Sequence, residues 1–322
     1  MDELLRVENL RTIFRTPEGI ARAVDGVSFR VAHGETVGLV GESGCGKSVT
    51  ALSIMRLVSE PQGQIAGGSV FLEGVDLLEL PEKEMRKIRG CKLSIVFQEP
   101  LTSLNPVFTC GEQVREAIAL HQKLGRRESK ERAIEMLRLV RIPDPARRYH
   151  SYPHQMSGGM RQRVMIAMAL SCRPALLIAD EPTSALDVSV QGQIIELLAE
   201  LIETMHMAVL LITHDLAVVA QLANRVIVMY AGVVFEEAPA AELFRSPANP
   251  YTEGLLRSLP GRVPRNVKLP SIPGNVPDPL RIPRGCRFSD RCPRRFEKCV
   301  EEPPLFTVSQ GHISRCWLSG GS

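Results

Sequence analysis

The stretch Thr36-Val37-Gly38-Leu39-Val40, followed by Gly41-Glu42-Ser43-Gly44-Cys45-Gly46-Lys47-Ser48, decides the reading of this chain. The first five residues are a short apolar run of the kind that becomes a buried strand, and Lys47 to Leu57 reads as a helix. Between them, a glycine, four residues and then Gly-Lys-Ser make the phosphate-loop pattern, standing after a strand and at the start of a helix. The glycines let successive backbone N–H groups turn inward around phosphate oxygens. The helix N-terminus adds its dipole and unpaired donors. Lys47 would reach the β- and γ-phosphates, and the Ser48 hydroxyl would ligate Mg²⁺. Alone, the motif says that a nucleoside triphosphate binds.

Outward from this stretch the pattern repeats. Leu93 to Phe97, Ala175 to Ala179 and Ala208 to Thr213 are further buried-strand candidates, and Asp187 to Met205 carries apolar residues at helical spacing. This βαβ rhythm predicts an α/β fold, a parallel sheet with helices on its faces. Between Pro100 and Cys172 the pattern is mainly helical, which predicts an inserted helical subdomain over about 100–172. After about Glu237 the composition shifts: thirteen of the chain's 23 prolines fall between Pro239 and Pro304. Proline fixes φ and cannot donate a ladder hydrogen bond, so long helices and central strands are not expected there. The expected division is therefore 1–237 and a compact, loop-rich extension over 238–322 that needs some device other than a large core.

Leu176-Leu177-Ile178-Ala179-Asp180-Glu181 is an apolar strand ending in two carboxylates. An acid at the C-terminal end of such a strand lies beside the phosphate loop in open α/β sheets. Asp180 is suited to hold Mg²⁺, directly or through water, and Glu181 to polarise an attacking water. Solvated acids capping a strand end are the plain alternative. His214 follows the apolar run Val209 to Thr213, and Gln98 follows Ser94 to Phe97. Each would mean little by itself.

Met156-Ser157-Gly158-Gly159-Met160-Arg161-Gln162-Arg163 supplies the missing company. Two adjacent glycines opening a long apolar helix invite close approach by a ligand or another chain. The segment resembles the signature of ABC ATPases and lies in that family's order, between the glutamine-ended and the acid-ended strand. Met156 and Met160 depart from the commonest form, and the second methionine resembles the peptide-importer branch. Ser184-Ala185-Leu186-Asp187 is similar to the family's loop that crosses between two ATPase subunits. His214 matches the switch histidine, Gln98 the glutamine that senses Mg²⁺, and Phe14 an aromatic platform for adenine. Glu99 to Pro106 resembles the segment near the groove that receives the permease. The resemblance implies a P-loop ABC-type ATPase domain with a mostly parallel sheet core, antiparallel N-terminal strands and an inserted helical subdomain. It also implies two ATPase subunits closing head to tail around two ATP molecules. Ser157, Gly158, Gly159 and Met160 of one would face the γ-phosphate held by the other's Gly41 to Ser48, while Glu181 and His214 hydrolyse it with Mg²⁺ at Ser48, Gln98 and Asp180.

Of eight cysteines, Cys286, Cys292, Cys299 and Cys316 crowd into the tail, separated by five, six and sixteen residues. Four thiolates suit zinc or an iron–sulfur cluster, and none of the gaps is as short as zinc ribbons use. The tail resembles the C-terminal domain of dipeptide and oligopeptide importer ATPases, which implies a 4Fe–4S cluster in preference to zinc, as a structural staple or a redox sensor. Asn249-Pro250-Tyr251-Thr252 also resembles that branch and is expected to pack the extension onto the rest.

The formal net charge of +3, from 39 basic and 36 acidic side chains, gives no basic footprint for nucleic acid. No apolar stretch approaches the length of about eighteen residues that a membrane helix needs. Met1 to Arg6 lacks the basic-then-apolar order of a secretory signal. The expected place of work is thus the cytoplasmic face of the inner membrane. The expected partners are two permease subunits, a second and different ATPase subunit, and an extracytoplasmic substrate-binding protein. Di- and oligopeptides are the favoured cargo, with nickel, glutathione or an opine-like compound open. A non-transport ABC ATPase would be expected to carry two cassettes or a long coiled coil, and neither is present.

Overall fold

A computed structural model describes residues 3–184, 186–259 and 271–320. Its strands are β1 (Glu3–Thr16), β2 (Gly19–Ala32), β3 (Thr36–Val40), β4 (Gly63–Leu72), β5 (Val75–Asp76), β6 (Leu93–Val96), β7 (Leu176–Asp180), β8 (Ala208–Thr213), β9 (Arg225–Tyr230), β10 (Val233–Pro239), β11 (Phe306–Ser309) and β12 (His312–Ser314). Its α-helices are α1 (Lys47–Ile54), α2 (Glu82–Ile88), α3 (Pro100–Ser103), α4 (Cys110–Gln122), α5 (Arg126–Leu139), α6 (Pro145–Arg148), α7 (Gly158–Leu170), α8 (Val188–Met205), α9 (Leu216–Leu222), α10 (Ala240–Arg245) and α11 (Pro250–Arg257). The chain divides into two compact units. One comprises Met1–Leu4, Ala32–Gly34 and Glu79–Leu210, the other Leu5–Val31, Glu35–Leu78 and Leu211–Ser322. No helix among the described residues is long and apolar enough to cross a membrane.

In the second unit, every residue of β3 is buried, as a strand covered on both faces requires. β3 pairs in parallel with β9, Val37 opposite Arg225 through Val40 opposite Val228. β9 and β10 form an antiparallel hairpin. The two residues joining them, Ala231 and Gly232, have φ of 45° and 84°, the left-handed pair that a tight hairpin of matching twist needs. β10 pairs with β12, and β12 with β11, giving the order β11-β12-β10-β9-β3. A separate antiparallel sheet has the order β2-β1-β4-β5. In β2, buried Val27, Phe29 and Val31 alternate with exposed Ser28 and Arg30, a sheet with one covered face.

The proline-rich tail is anchored by aromatics. Tyr230, Phe235, Tyr251 and Phe288 belong to one buried cluster that also holds Cys286 and Cys299. The Tyr230 ring lies 4.6 Å from that of Tyr251 and 5.3 Å from that of Phe288. Such pairs each add about 0.5–1.5 kcal/mol beyond the area they bury. Asn249 fixes the start of α11, its side chain accepting from the Tyr251 N–H at 3.0 Å and donating to Phe235 O at 3.2 Å.

In the first unit, β6 and β7 pair in parallel, Leu93 opposite Leu176 through Val96 opposite Ala179. The helical region packs α4 on α5 and sets α7 against both. Tyr149 is fully buried there, its hydroxyl donating to Glu112 Oε1 at 2.6 Å. α7 is buried nearly all round, including Gln162 and Arg163, so its sequence lacks a polar stripe. α8 is amphipathic and buries Ile194, Ile195, Leu197, Leu198 and Leu201.

Candidate functional site

The phosphate loop is shaped by two close approaches. A Cβ on Gly41 (φ 152°) would lie 2.3 Å from Met229 O, and one on Gly46 (φ 107°) 2.4 Å from Ala23 O. No side chain could be added at either position without moving backbone, which accounts for both glycines. Gly46 is the N-cap of α1, in the left-handed region, and brings no side-chain acceptor to the helix start. Lys47 is buried, and its Nζ donates to Gly41 O at 2.8 Å and to Glu42 O at 3.0 Å. An ammonium held by two loop carbonyls can be redirected to phosphate oxygens, which are stronger acceptors. Ser43 and Gly44 are exposed at the tip, and Ser48 opens α1. Cys45 is buried, and that burial pushes its thiol pKa up, with Lys47 acting in the opposite direction. Phe14 lies in β1 opposite Gly63, where a Cβ on that glycine would meet the Phe14 ring at 2.8 Å. His214 is exposed directly after β8, where Thr213 Oγ1 accepts from the Asp215 N–H at 2.9 Å and Asp215 caps α9.

The acidic strand end belongs to the first unit. Asp180 is the last residue of β7 and is buried. Glu181 follows with φ 47°, a left-handed conformation that non-glycine residues rarely hold and that is enriched where a side chain must be aimed. Gln98 Nε2 donates to Glu181 Oε2 at 3.1 Å. The parallel pairing of β6 with β7 thus brings together a glutamine and a carboxylate 83 positions apart. Glu181 O also accepts from Ser184 N–H and Oγ, at 3.3 and 3.1 Å, which folds the chain back toward α8. Gln191 Nε2 donates to Thr183 O and Leu186 O, both at 3.0 Å. This brace was not anticipated from sequence; the only signal was a polar residue one helical turn after Asp187. Asp187 caps α8 by accepting from the Val190 N–H at 3.1 Å, and its bond from Ser189, with that from Val190, holds its carboxyl below the usual range. Ala185 lies outside the described residues.

Ser157 is the N-cap of α7 and accepts from the Met160 N–H at 3.3 Å. The two glycines after it answer to packing as well as to any ligand. A Cβ on Gly158 would sit 3.3 Å from Leu186, and one on Gly159 2.5 Å from Val190 Cγ1 in the first turn of α8. Met156 is buried. In the segment after Gln98, Gln113 exchanges bonds with the backbone of Asn105, at 2.9 and 3.0 Å, fixing the turn between α3 and α4.

Cys286, Cys292, Cys299 and Cys316 line one small pocket together with Phe288, Trp317 and Leu318. The Cys286 N–H donates to Cys299 O at 3.0 Å. Burial pushes the Cys286 thiol up to about 11 and raises those of Cys292 and Cys316, neighbouring cysteines adding to each shift. As placed, no group of three or more His, Cys, Asp or Glu among the described residues is arranged to hold a metal ion.

Comparison with known proteins supplies the family. Residues 24–184 match the model of the ABC transporter family, and residues 235–299 that of the oligopeptide/dipeptide transporter C-terminal region. The probable peptide ABC transporter ATP-binding protein y4tR of Sinorhizobium fredii is 53% identical over 99% of this chain and 96% of its own length. The oligopeptide transport ATP-binding protein AppD of Bacillus subtilis is 51% identical over 99% and 97%. Among solved structures, the dimeric ATP-binding cassette MJ0796 in a post-hydrolysis state with ADP and Pi matches with a TM-score of 0.66 and 30% identity, covering 74% of this chain and 99% of that one. With half of the sequence inside the family model and more than half of it identical to such relatives from end to end, the chain belongs to the ABC transporter family, as one of its ATP-binding cassettes.

Proposed function

We propose that this chain hydrolyses ATP to energise an importer of dipeptides or oligopeptides, docked at the cytoplasmic face of the inner membrane. The observation that carries the reading is the joint presence of the cassette and the oligopeptide/dipeptide transporter C-terminal region in one chain. The relatives' names point the same way. Residues 1–237 serve as the ATPase domain and 238–322 as the extension. Two permease subunits, a second and different ATPase chain and an extracytoplasmic binding protein complete the assembly.

Within the cassette, Gly41 to Ser48 cradle the triphosphate and Phe14 stacks on adenine. Ser48, Gln98 and Asp180 offer hydroxyl, amide and carboxylate oxygens, the hard donors Mg²⁺ prefers, and would hold the ion, which when bound would supply charge stabilisation to the phosphates. Glu181 orients and deprotonates the attacking water, supported by its aimed backbone and its bond from Gln98. His214 steadies the γ-phosphate. Ser157 to Met160 grip the γ-phosphate bound by the partner ATPase, and Ser184 to Asp187 cross the interface. In the tail, the convergence of four thiols on one pocket supports a 4Fe–4S cluster held by Cys286, Cys292, Cys299 and Cys316. Thiolate ligation would reverse the burial-driven rise of the pKa values of Cys286, Cys292 and Cys316.

Affinity purification of the full chain from its native membrane tests both parts. Co-purification of permease subunits and a peptide-binding protein is expected, together with a brown colour, iron and sulfide from cells handled without air. A permease paired with a binding protein that ignores peptides would refute the cargo. A colourless preparation containing only zinc would refute the cluster.

A further inference from the structure

Glu42, the second residue of the phosphate loop, is gripped by the C-terminal extension. Arg291 Nη1 and Nη2 donate to Glu42 Oε2 and Oε1 at 2.6 and 2.9 Å, a bidentate pair on an arginine side chain only 6% exposed. The same guanidinium donates from Nε to Pro273 O at 2.7 Å and from Nη1 to Tyr230 Oη at 3.2 Å. The Glu42 N–H donates to Tyr251 Oη at 3.0 Å, and Tyr251 is fully buried in the aromatic cluster. Both the main chain and the side chain of this loop residue are therefore tied to residues beyond 250.

A second brace acts through the hairpin turn. Arg287, itself buried, donates to Ala231 O and to Asp25 Oδ2, both at 2.6 Å. The adjacent Gly232 N–H donates to Cys45 O at 2.9 Å, and Gly232 O accepts from the Asp25 N–H at 2.8 Å. The loop is thus held at Glu42 directly and at Cys45 through one intervening turn.

We infer that the extension positions the phosphate loop for ATP, with Arg291 and Tyr251 as its positioning residues. Two physical reasons lead there. A loop that binds through successive amides loses affinity for every degree of freedom it must surrender on binding, so ties made beforehand strengthen the grip. A carboxylate inside a loop that takes a triphosphate also opposes the ligand's charge, and a bidentate guanidinium removes that opposition. Neither residue needs to touch the nucleotide. The inference rests on ATP binding by the cassette and is independent of cargo.

The test uses the full chain, with equilibrium binding of mant-ATP and steady-state ATP hydrolysis. Arg291→Ala should raise Kd and KM about tenfold while kcat stays within about twofold, the signature of lost uniform binding. Arg291→Lys should recover part of that affinity, since the charge returns without the fork. Tyr251→Phe keeps the ring packing and should raise Kd about threefold at an unchanged melting temperature. Removing the carboxylate as well, in Glu42→Ala with Arg291→Ala, should recover only the part of the loss that the unpaired charge causes, so that the two losses are less than additive. Variants that melt lower but bind mant-ATP as wild type does would overturn the inference, as would a double variant whose losses simply add. A wild-type chain that failed to bind mant-ATP would instead count against the ATPase reading.

Discussion

Gly159→Ala offers the sharpest test of why the signature helix begins with two glycines. The added methyl would stand 2.5 Å from Val190 Cγ1, against an ordinary carbon contact of about 3.5–4.0 Å, so about 1 Å of clearance has to be found. Val190 cannot readily supply it. Its N–H is tied to the Asp187 cap at 3.1 Å, and a β-branched side chain in a helix strongly prefers one rotamer. Overpacking of this kind costs about 1–3 kcal/mol. Replacing glycine by alanine in a helix returns up to about 1 kcal/mol. The net expectation is about 1–2 kcal/mol of destabilisation, a melting-temperature fall of about 1.5–3 °C for a chain of this size. Differential scanning calorimetry of the full chain reads it directly. Val190→Ala removes the obstructing methyls, so Gly159→Ala placed in that background should cost almost nothing further. A Gly159→Ala protein melting at or above wild type, or one that Val190→Ala fails to relieve, would refute the packing account and leave the ligand as the sole reason for this glycine.

Two further outcomes are expected. Glu181→Gln should bind mant-ATP like wild type but lose about two to four orders of magnitude in turnover, since the amide can take the bond from Gln98 yet cannot accept a proton; undiminished hydrolysis would remove Glu181 from that role. The bond from Arg115, with one from Tyr149, holds the Glu112 carboxyl below its ordinary value of 4.5. Its contribution to stability is therefore complete above that value and is lost as pH falls through the lower folded-state pKa. In acid titrations followed by circular dichroism, Glu112→Gln should melt lower near neutrality and lose less stability than wild type below pH 4.5. Parallel acid profiles for the two proteins would contradict it.

What could be read from sequence was what the chain writes locally. β3 and β8 fall on the expected residues because short apolar runs bounded by turn residues have few other uses. The start of α8 coincides with the Asp187 cap, a signal carried by one side chain. The end of α1 was harder: the helix stops at Ile54, short of Leu57, and the left-handed residue after it is Arg56 at φ 51°, not a glycine. β7 ends at Asp180, so the first carboxylate of the expected acid-ended strand lies within it and Glu181 lies just beyond. The cassette motifs were legible because their spacing is itself the chemistry. The left-handed φ of Glu181 and the brace from Gln191 were not, since both follow from how the turn closes. Least legible was the hold of Arg291 on Glu42, a contact across 249 positions with no periodicity to announce it. The prolines signalled short elements, and among the described residues of the tail none is longer than the eight-residue α11. They gave no hint that Tyr251 and Phe288 would join the core of the β9–β10 hairpin.

That shared aromatic core sets an order on synthesis. Tyr230 and Phe235 leave the ribosome well before Phe288, the last ring of the cluster, has been made. At a translation rate of about 5–20 residues per second, the hairpin presents a greasy face for several seconds with its cover still unmade. During that interval the uncovered rings are an aggregation-prone surface of the kind chaperones shield. A stop codon or frameshift anywhere between those positions would leave the face permanently bare, so such truncations should be cleared by proteolysis before the integrity of their catalytic groups can matter.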